Sequence, residues 1–523
     1  MAAMSRSFPC PWCIASLTLF AGCVTVDPRP DLAQSAGLIA QRTGSPDVYD
    51  PTTEAQIAAK VRDLLENGLS VEEAVRVALL NNRELQAAFQ TIGVSRAELV
   101  QSGLLTNPSF SLLGRLPESG GRANLELGFA QQIADLWQIP VRKEVARAQL
   151  ESTILNVAHL GIGLAAAVRA RCYELLTLRE VESALRENLE LVEQSVRLAE
   201  RQYEAGAVSK LDVNLVRLNT LDVRLELITL QREQRVAEAQ LVRLLSLTDG
   251  SPLPSLIDTL PTPRPLPREA LLSTALAARL DVRQAAATVD AAEADLRRES
   301  LRVFPSIEFG LALERPDRQS LPGRNILADT VRESVASGAL TAPGIESRAQ
   351  RDLQRRQIVD VLLGPSVALT VPLWDQNQAQ MARARFVALQ RCKEYEELLN
   401  RVAAEVTVAL ATLETAEELV RFYETEALPQ IRETVEGARR IYEAGEGSIL
   451  VILQAQATSI ARRRAYARAL GEYAAARVEL ERAVGGHLPE PSTTQPATRS
   501  RVVASGTFVA ADHPGHGSGT PAG

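Results

Sequence analysis

Aromatic side chains make up only 4% of this 523-residue chain, which excludes the Trp-, Phe- and Tyr-rich cores of large compact domains. Histidine is scarce as well. His159 stands alone in helical text, and His487, His513 and His516 lie before or within the C-terminal tail. With no HExxH and no Gly-rich phosphate loop, nothing reads as a catalytic or metal centre, and no cofactor is implied. A basic excess is also missing. The 57 Lys and Arg against 64 Asp and Glu give a net charge of −7, the wrong sign for a nucleic-acid surface. No window approaches the ~20 uninterrupted apolar residues of a membrane-spanning helix. Of five cysteines, Cys172 and Cys392 fall in helical text and read as small buried hydrophobes. Cys10-Pro-Trp-Cys13 has the spelling of a redox pair but sits inside an N-terminal leader.

What is abundant, namely Ala, Leu, Val, Arg and Glu, suits long helices packed side by side. The leader, residues 1–22, joins Arg6 to an apolar run from Trp12 to Phe20, the layout of a secretory signal. Phe20-Ala-Gly-Cys23 resembles a bacterial lipobox, although Phe20 stands where that motif carries an aliphatic residue. The resemblance implies cleavage before Cys23, acylation (palmitate among the chains) of its sulfur and, with Val24 following, sorting to the outer membrane. Ordinary signal cleavage nearby, with Cys23 incidental, is the alternative.

The rest of the chain is written twice. YEAG occurs at Tyr203–Gly206 and again at Tyr442–Gly445. Leu189, Val192, Val196, Ala199 and Tyr203 precede the first copy, and Leu428, Ile431, Val435, Ala438 and Tyr442 precede the second at the same spacing. Steps of three and four place these residues on one narrow stripe of a helix. Upstream, Glu84–Phe110 aligns with Asp281–Ile307, so that Leu99 meets Leu296 and Pro108 meets Pro305. The two registers differ by an insertion in the second half, a loop from about 313 to 361 placed at the outer end of a hairpin. Pieces that recur in order mark a structural duplication. The predicted division is a segment 23–68, a first repeat 69–260, a second repeat 261–486 and a tail 487–523. The tail is rich in Pro, Gly, Ser and Thr and reads as disordered.

Each repeat holds two strand-like stretches, 108–116 and 123–133, then 305–313 and 365–373; the last three alternate, and the first is less regular, with Phe110 and Leu112 followed by Leu113. Their length matches the ~9–11 residues of a tilted strand crossing a bilayer. Trp137 and Trp374 follow the second strand of each pair, where aromatics form a membrane-interface girdle. The alternative is a pair of amphipathic hairpins in a soluble sheet. Long helices flank the strands. Residues 143–203 contain no proline and would reach about 90 Å at ~1.5 Å per residue. Residues 378–442 are interrupted only at Pro429. Shorter helices are predicted over 209–247 and 448–484, and others near 71–103 and 269–303. In hydrocarbon an open sheet edge is excluded, and closed membrane barrels start at about eight strands. Four strands in one chain therefore require further copies.

The stretch LSVEEAVRVALLNNRELQAAFQTIGVSRAELVQSGLLTNPSFSL, the paired hairpins, both YEAG turns and the lipobox together resemble the TolC-like outer-membrane efflux proteins, over about 69–486. The NPSF text is most similar to the heavy-metal and cation efflux branch. The resemblance implies a mainly helical fold with a small membrane β-hairpin pair. It implies a homotrimer with a twelve-stranded barrel continuous with a long helical tunnel, and no enzymatic activity. It also implies a periplasmic adaptor partner, through which an inner-membrane pump is reached, and a lipid-anchored place in the outer membrane. The adaptor-contacting tips would be Tyr203, Gly206 and Ser209 with Tyr442, Gly445 and Ser448. Acidic gate rings of some members fall here on Val451 and Gln454, so that ring is missing. Asp212 and Glu446 are the remaining gate candidates, and Asp212 reads equally as a solvated residue near a helix start. Arg462-Arg463-Arg464 reads as a partner or lipid patch, or as a solvated helix face. Two further classes remain: a periplasmic adaptor lipoprotein, which normally carries one hairpin, and a coiled-coil envelope scaffold, which leaves the strands unexplained.

Overall fold

The computed structural model describes residues 25–66, 68–116, 123–206, 209–247, 253–264, 270–304, 306–315, 335–336, 338, 362–444 and 449–487. The leader, Cys23, most of the 313–361 insertion, Gly445, Glu446, Ser448 and the tail beyond 487 lie outside the described residues. Only the backbone is described for Asp212 and Tyr442.

The elements run α1 (Arg29–Thr43), a short 3-10 turn (Pro51–Thr53), α2 (Glu54–Leu65), α3 (Val71–Asn81), α4 (Arg83–Ser102), β1 (Ser109–Arg115), β2 (Asn124–Gln132), α5 (Asp135–Glu204) and α6 (Lys210–Leu245). They continue with α7 (Leu271–Ala278), α8 (Leu280–Leu301), β3 (Ser306–Arg315), β4 (Leu362–Thr370), α9 (Gln378–Phe422), a π turn (Tyr423–Ala427), α10 (Leu428–Glu443) and α11 (Ile449–Val484). Helix α5, with 70 residues, is the spine and spans about 105 Å at ~1.5 Å per residue. It packs on α6 within its own repeat and on α8 and α11 of the other, while α9 lies against α8 and α11. Helices α6 and α9 thus form the two edges of the long-helix layer. One window of α5 is apolar enough to cross a bilayer, but 56% of it is buried inside the protein, the mark of a core helix.

The apolar core is thickest midway along the helices. Ile39, Leu79, Phe89, Leu155, Leu175 and Leu241 join α1, α3, α4, α5 and α6. Leu271, Val402, Leu413, Tyr473 and Leu480 join α7, α9 and α11. Toward the helix reversals it thins to small ladders, Val181, Leu185, Val223 and Leu230 and Ala438, Ile452 and Ala455. A fully buried Leu contributes ~1.5–3 kcal/mol, so the thin end of each hairpin carries less apolar stabilisation than the middle of the helices.

Two local features depart from the sequence-based expectation. The helices expected over 71–103 and 269–303 are each broken once, at Asn82 (ψ 118) and Arg279 (ψ 128). The offset that aligns Pro108 with Pro305 also aligns these two breaks, so the duplication extends to a bend. Asn82 caps the next helix by accepting from the Leu85 N–H at 2.9 Å. Arg279 makes no such cap; its guanidinium is engaged elsewhere. The second departure is the π turn just before Pro429. Proline lacks an N–H, and its ring collides with the carbonyl four residues back. A wider turn over Tyr423–Ala427 relieves that collision.

The segment ahead of the first repeat, for which the sequence names no element, contains α1 and α2. Gln34 bonds Glu151, Ser35 bonds the Ile154 carbonyl, Ile39 packs at Gly161, and the Thr43 carbonyl accepts from Arg169 at 2.8 Å. These contacts march down α5 in step, so α1 runs parallel to α5 with its N-terminus toward the sheet.

Candidate conduction path

The four strands form one antiparallel sheet in the order β1-β2-β3-β4. The central β2–β3 pairing joins the two repeats, and β1 and β4 each have one neighbour. Residues directly opposite in an antiparallel pair share a face, so the register sorts every side chain. One face carries the rungs Phe110–Phe129–Leu311–Pro365 and Leu112–Leu127–Leu313–Leu363, with Phe309 beside Val367 and Ile307 beside Leu369. Phe110 and Phe129 are in ring contact at 5.1 Å, and Phe110 is 78% exposed.

The other face has an outer rung of Leu113, Glu126, Glu314 and Leu362. Below it come the rungs Ser111–Gly128–Ala312–Gly364 and Ser109–Ala130–Gly310–Ser366, and then Gln132, Glu308 and Ala368. Leu113, which directly follows Leu112 of the apolar face, belongs to this polar face. A sheet with one bare apolar face and one face of small and acidic residues is built to separate hydrocarbon from water.

At the base of the sheet α5 begins at once. Buried Asp135 accepts from the Thr106 N–H at 2.6 Å and from Arg142 at 2.9 Å. Burial pushes its carboxyl up, but these bonds outweigh burial and hold it below the usual carboxylate range. The helix turns about 100° per residue, so Leu136 points outward while Trp137 turns inward. Trp137 is half-buried, and its Nε1 is enclosed without a hydrogen-bond partner. Trp374, outside any helix, is 87% exposed. The two tryptophans, expected to act alike, therefore differ: Trp374 has the exposure an interface residue requires, and in the first repeat Leu136 holds the outward position.

At the opposite end α5 stops at the first reversal. Gly206 takes φ +73, a left-handed conformation that costs side-chain-bearing residues roughly 1–2 kcal/mol, and its N–H donates to the Tyr203 carbonyl at 2.9 Å. Tyr203 is half-exposed, and Ser209 lies just before α6, its carbonyl accepting from the Val213 N–H at 3.4 Å. Ion pairs Arg217–Glu200 (2.6 Å) and Arg224–Glu193 (3.0 Å) tie the two legs of this hairpin. The second reversal lies outside the described residues. Arg463 reaches Glu187 and Arg464 reaches Glu226, from α11 to the first hairpin, so these two arginines are interhelical ties rather than a free patch.

A family model described as outer membrane efflux protein matches residues 74–246 and 271–486, most of the chain. The chain belongs to this family. As an outer membrane efflux protein it is the outer-membrane channel component of an efflux system, in a family that transports rather than catalyses. It is 24% identical over 449 residues to the pyoverdine export outer membrane protein OpmQ of Pseudomonas aeruginosa, covering 80% of this chain and 85% of the relative. Its fold matches that of CusC with a TM-score of 0.63 at 19% identity, over 80% of this chain and 92% of that one. It matches the Campylobacter jejuni CmeC outer membrane channel at 0.62 and 17% identity, over 81% and 87%. The mainly helical, TolC-like fold follows from these likenesses. Among the described residues of this efflux protein, no group of three His, Cys, Asp or Glu side chains could hold a metal ion. Cys172 and Cys392 are free thiols.

Proposed function

We propose that three copies of this efflux protein close a twelve-stranded barrel in the outer membrane above a helical tunnel, and that the assembly conducts cargo passively. The observation that carries this reading is the bare pair of sheet edges, β1 and β4, on a sheet whose apolar face is exposed. An unpaired backbone group in hydrocarbon costs several kcal/mol. An edge strand presents several such groups, so one open edge consumes most of the ~5–15 kcal/mol that holds a domain folded. A neighbouring copy supplies the missing partners. Energy comes from an inner-membrane pump, reached through a periplasmic adaptor that meets the helical tips at Tyr203, Gly206 and Ser209 and at Tyr442, Gly445 and Ser448. Asp212 and Glu446 are the proposed gate residues, and Trp374 the membrane-interface residue.

The direction of α1 supports a lipid anchor at Cys23. Arg29 lies at most about 16 Å below the start of α5, counted along the paired helices at ~1.5 Å per residue. The six residues back to Cys23 span about 20 Å when extended. The sulfur can therefore reach the inner leaflet. The four strands, two hairpins and apolar sheet face fit neither an adaptor lipoprotein nor a coiled-coil scaffold.

Purified protein is expected to run as a heat-modifiable trimer in detergent and to give single-channel steps in planar bilayers. Protein that stayed soluble without detergent once its lipid was removed would refute the conduit.

A further inference from the structure

We propose that the membrane bore is open at mid-height and acidic at both rims, so that it admits cations and uncharged cargo in preference to anions. The inference rests on the barrel reading above, since the polar sheet face becomes the bore only when the ring closes. Register then fixes what each level of the bore presents. Two consecutive rungs carry nothing larger than Ser on any of the four strands, and a Cβ built at Gly364 meets only empty space. The next level outward sets Glu126 beside Glu314, and the next level inward holds Glu308. Like charges directly opposite weaken a sheet, so Glu126 and Glu314 are not there for strand pairing.

Among the described residues, basic side chains do not cancel this charge. Arg115 lies 3.9 Å from Glu126 and offsets one carboxylate. Arg315 pairs with Leu125 in register and so belongs to the lipid face. Asn124 and Gln132 bond Glu314 and Glu308, which orients these carboxylates without neutralising them. The glutamates are divided between two levels, so they act as a field along the path rather than as a binding point.

Distance decides when that field matters. Twelve strands ~4.8 Å apart and tilted ~40° give a backbone radius of about 12 Å. The screening length is about 10 Å at 0.1 M salt and about 3 Å at 1 M. Rim charge therefore reaches the bore axis in dilute salt and fades in concentrated salt.

The test is the reversal potential of single channels under a KCl gradient. Wild type is expected to prefer K⁺ over Cl⁻ at about 0.1 M and to lose most of that preference near 1 M. The variant Glu126→Gln/Glu308→Gln/Glu314→Gln should lower the cation-to-anion permeability ratio roughly threefold. Arg315→Gln, on the opposite face, should leave it unchanged. A triple variant that conducts with the wild-type ratio overturns the rim assignment while leaving the barrel intact. Wild-type protein that forms no channel overturns the barrel reading and the rims with it. Should the triple variant fail to assemble, Glu308→Lys carries the test, and an unaltered ratio from an intact trimer refutes the proposal.

Discussion

Replacing Arg279 by methionine probes the bend where α7 meets α8. Arg279 is 4% exposed, yet its guanidinium donates to Asp281 and Glu405, both at 2.6 Å, and to the Ala483 carbonyl at 3.2 Å. Burial alone would lower its pKa, but the two carboxylates outweigh burial and raise it. Methionine keeps the length and the apolar stem but deprives Asp281 and Glu405 of their hydrogen-bonded cation, leaving Arg482 as the charge that still acts on Glu405. Removing one partner of a buried pair costs about 3–5 kcal/mol. The Glu405 side chain is 30% exposed and regains some water, so the lower end, about 3 kcal/mol, is expected. Guanidinium unfolding of the detergent-solubilised protein, followed by far-ultraviolet circular dichroism, measures the loss. A double-mutant cycle with Glu405→Gln should return a coupling of about 1–3 kcal/mol.

The sign of the pH dependence follows from Asp281. Burial pushes its carboxyl up, but Arg279 outweighs burial and holds it below the ordinary range. Such a group stabilises the fold above the ordinary carboxylate pKa, and that stabilisation is lost as pH falls through the depressed folded value. The gap between wild type and Arg279→Met should therefore narrow on acidification. A variant within about 1 kcal/mol of wild type, or a gap that widens toward acid, would refute the reasoning.

Gly206→Val forces a branched side chain into a left-handed turn and should destabilise the first reversal by roughly 1–2 kcal/mol, seen as faster proteolysis at that tip. Gly471 lies where α11 meets Thr177 of α5 too closely for a side chain. Gly471→Leu should cost about 1–3 kcal/mol, measured by the same unfolding assay. Burial pushes the Cys172 thiol up to about 12, so it should resist alkylation at mildly alkaline pH in folded protein and react fully once denatured. The pairs Arg463–Glu187 and Arg464–Glu226 are partly exposed, so Glu187→Gln or Glu226→Gln should each cost no more than about 1 kcal/mol.

The strands, the long helices and the first reversal were legible because each has a period or a breaker that local physics enforces. Phe110 and Leu112 alternate, and Gly206 ends an apolar stripe. What stayed hidden depends on partners distant in sequence. The bend at Asn82 lies in helix-forming text, and its second amide bond runs to the Leu244 carbonyl at 2.8 Å. Helix α1 buries Ser35 and Thr43 beside Leu32 and Ile39, and two hydroxyls on a buried face erase the apolar signature. That Trp137 is half-buried while Trp374 is exposed was not legible either, because it depends on α5 beginning at Asp135, ahead of the start at 143 that the sequence suggests. The face of each glutamate, and with it the charge of the proposed bore, needed the pairing register.

The direction of the two outermost strands has one more consequence. β1 leaves the helical layer and β4 returns to it, so in the proposed barrel the last strand of one copy would meet the first strand of the next in the same antiparallel sense that operates within each chain. Such a junction is satisfied in a ring of any size, and backbone hydrogen bonding cannot count subunits. In the proposed ring, stoichiometry would then be decided below the membrane, where the α6 edge of one helical layer would lean against the α9 edge of its neighbour. Substitutions that change how many copies assemble should therefore map to those helices and not to the strands.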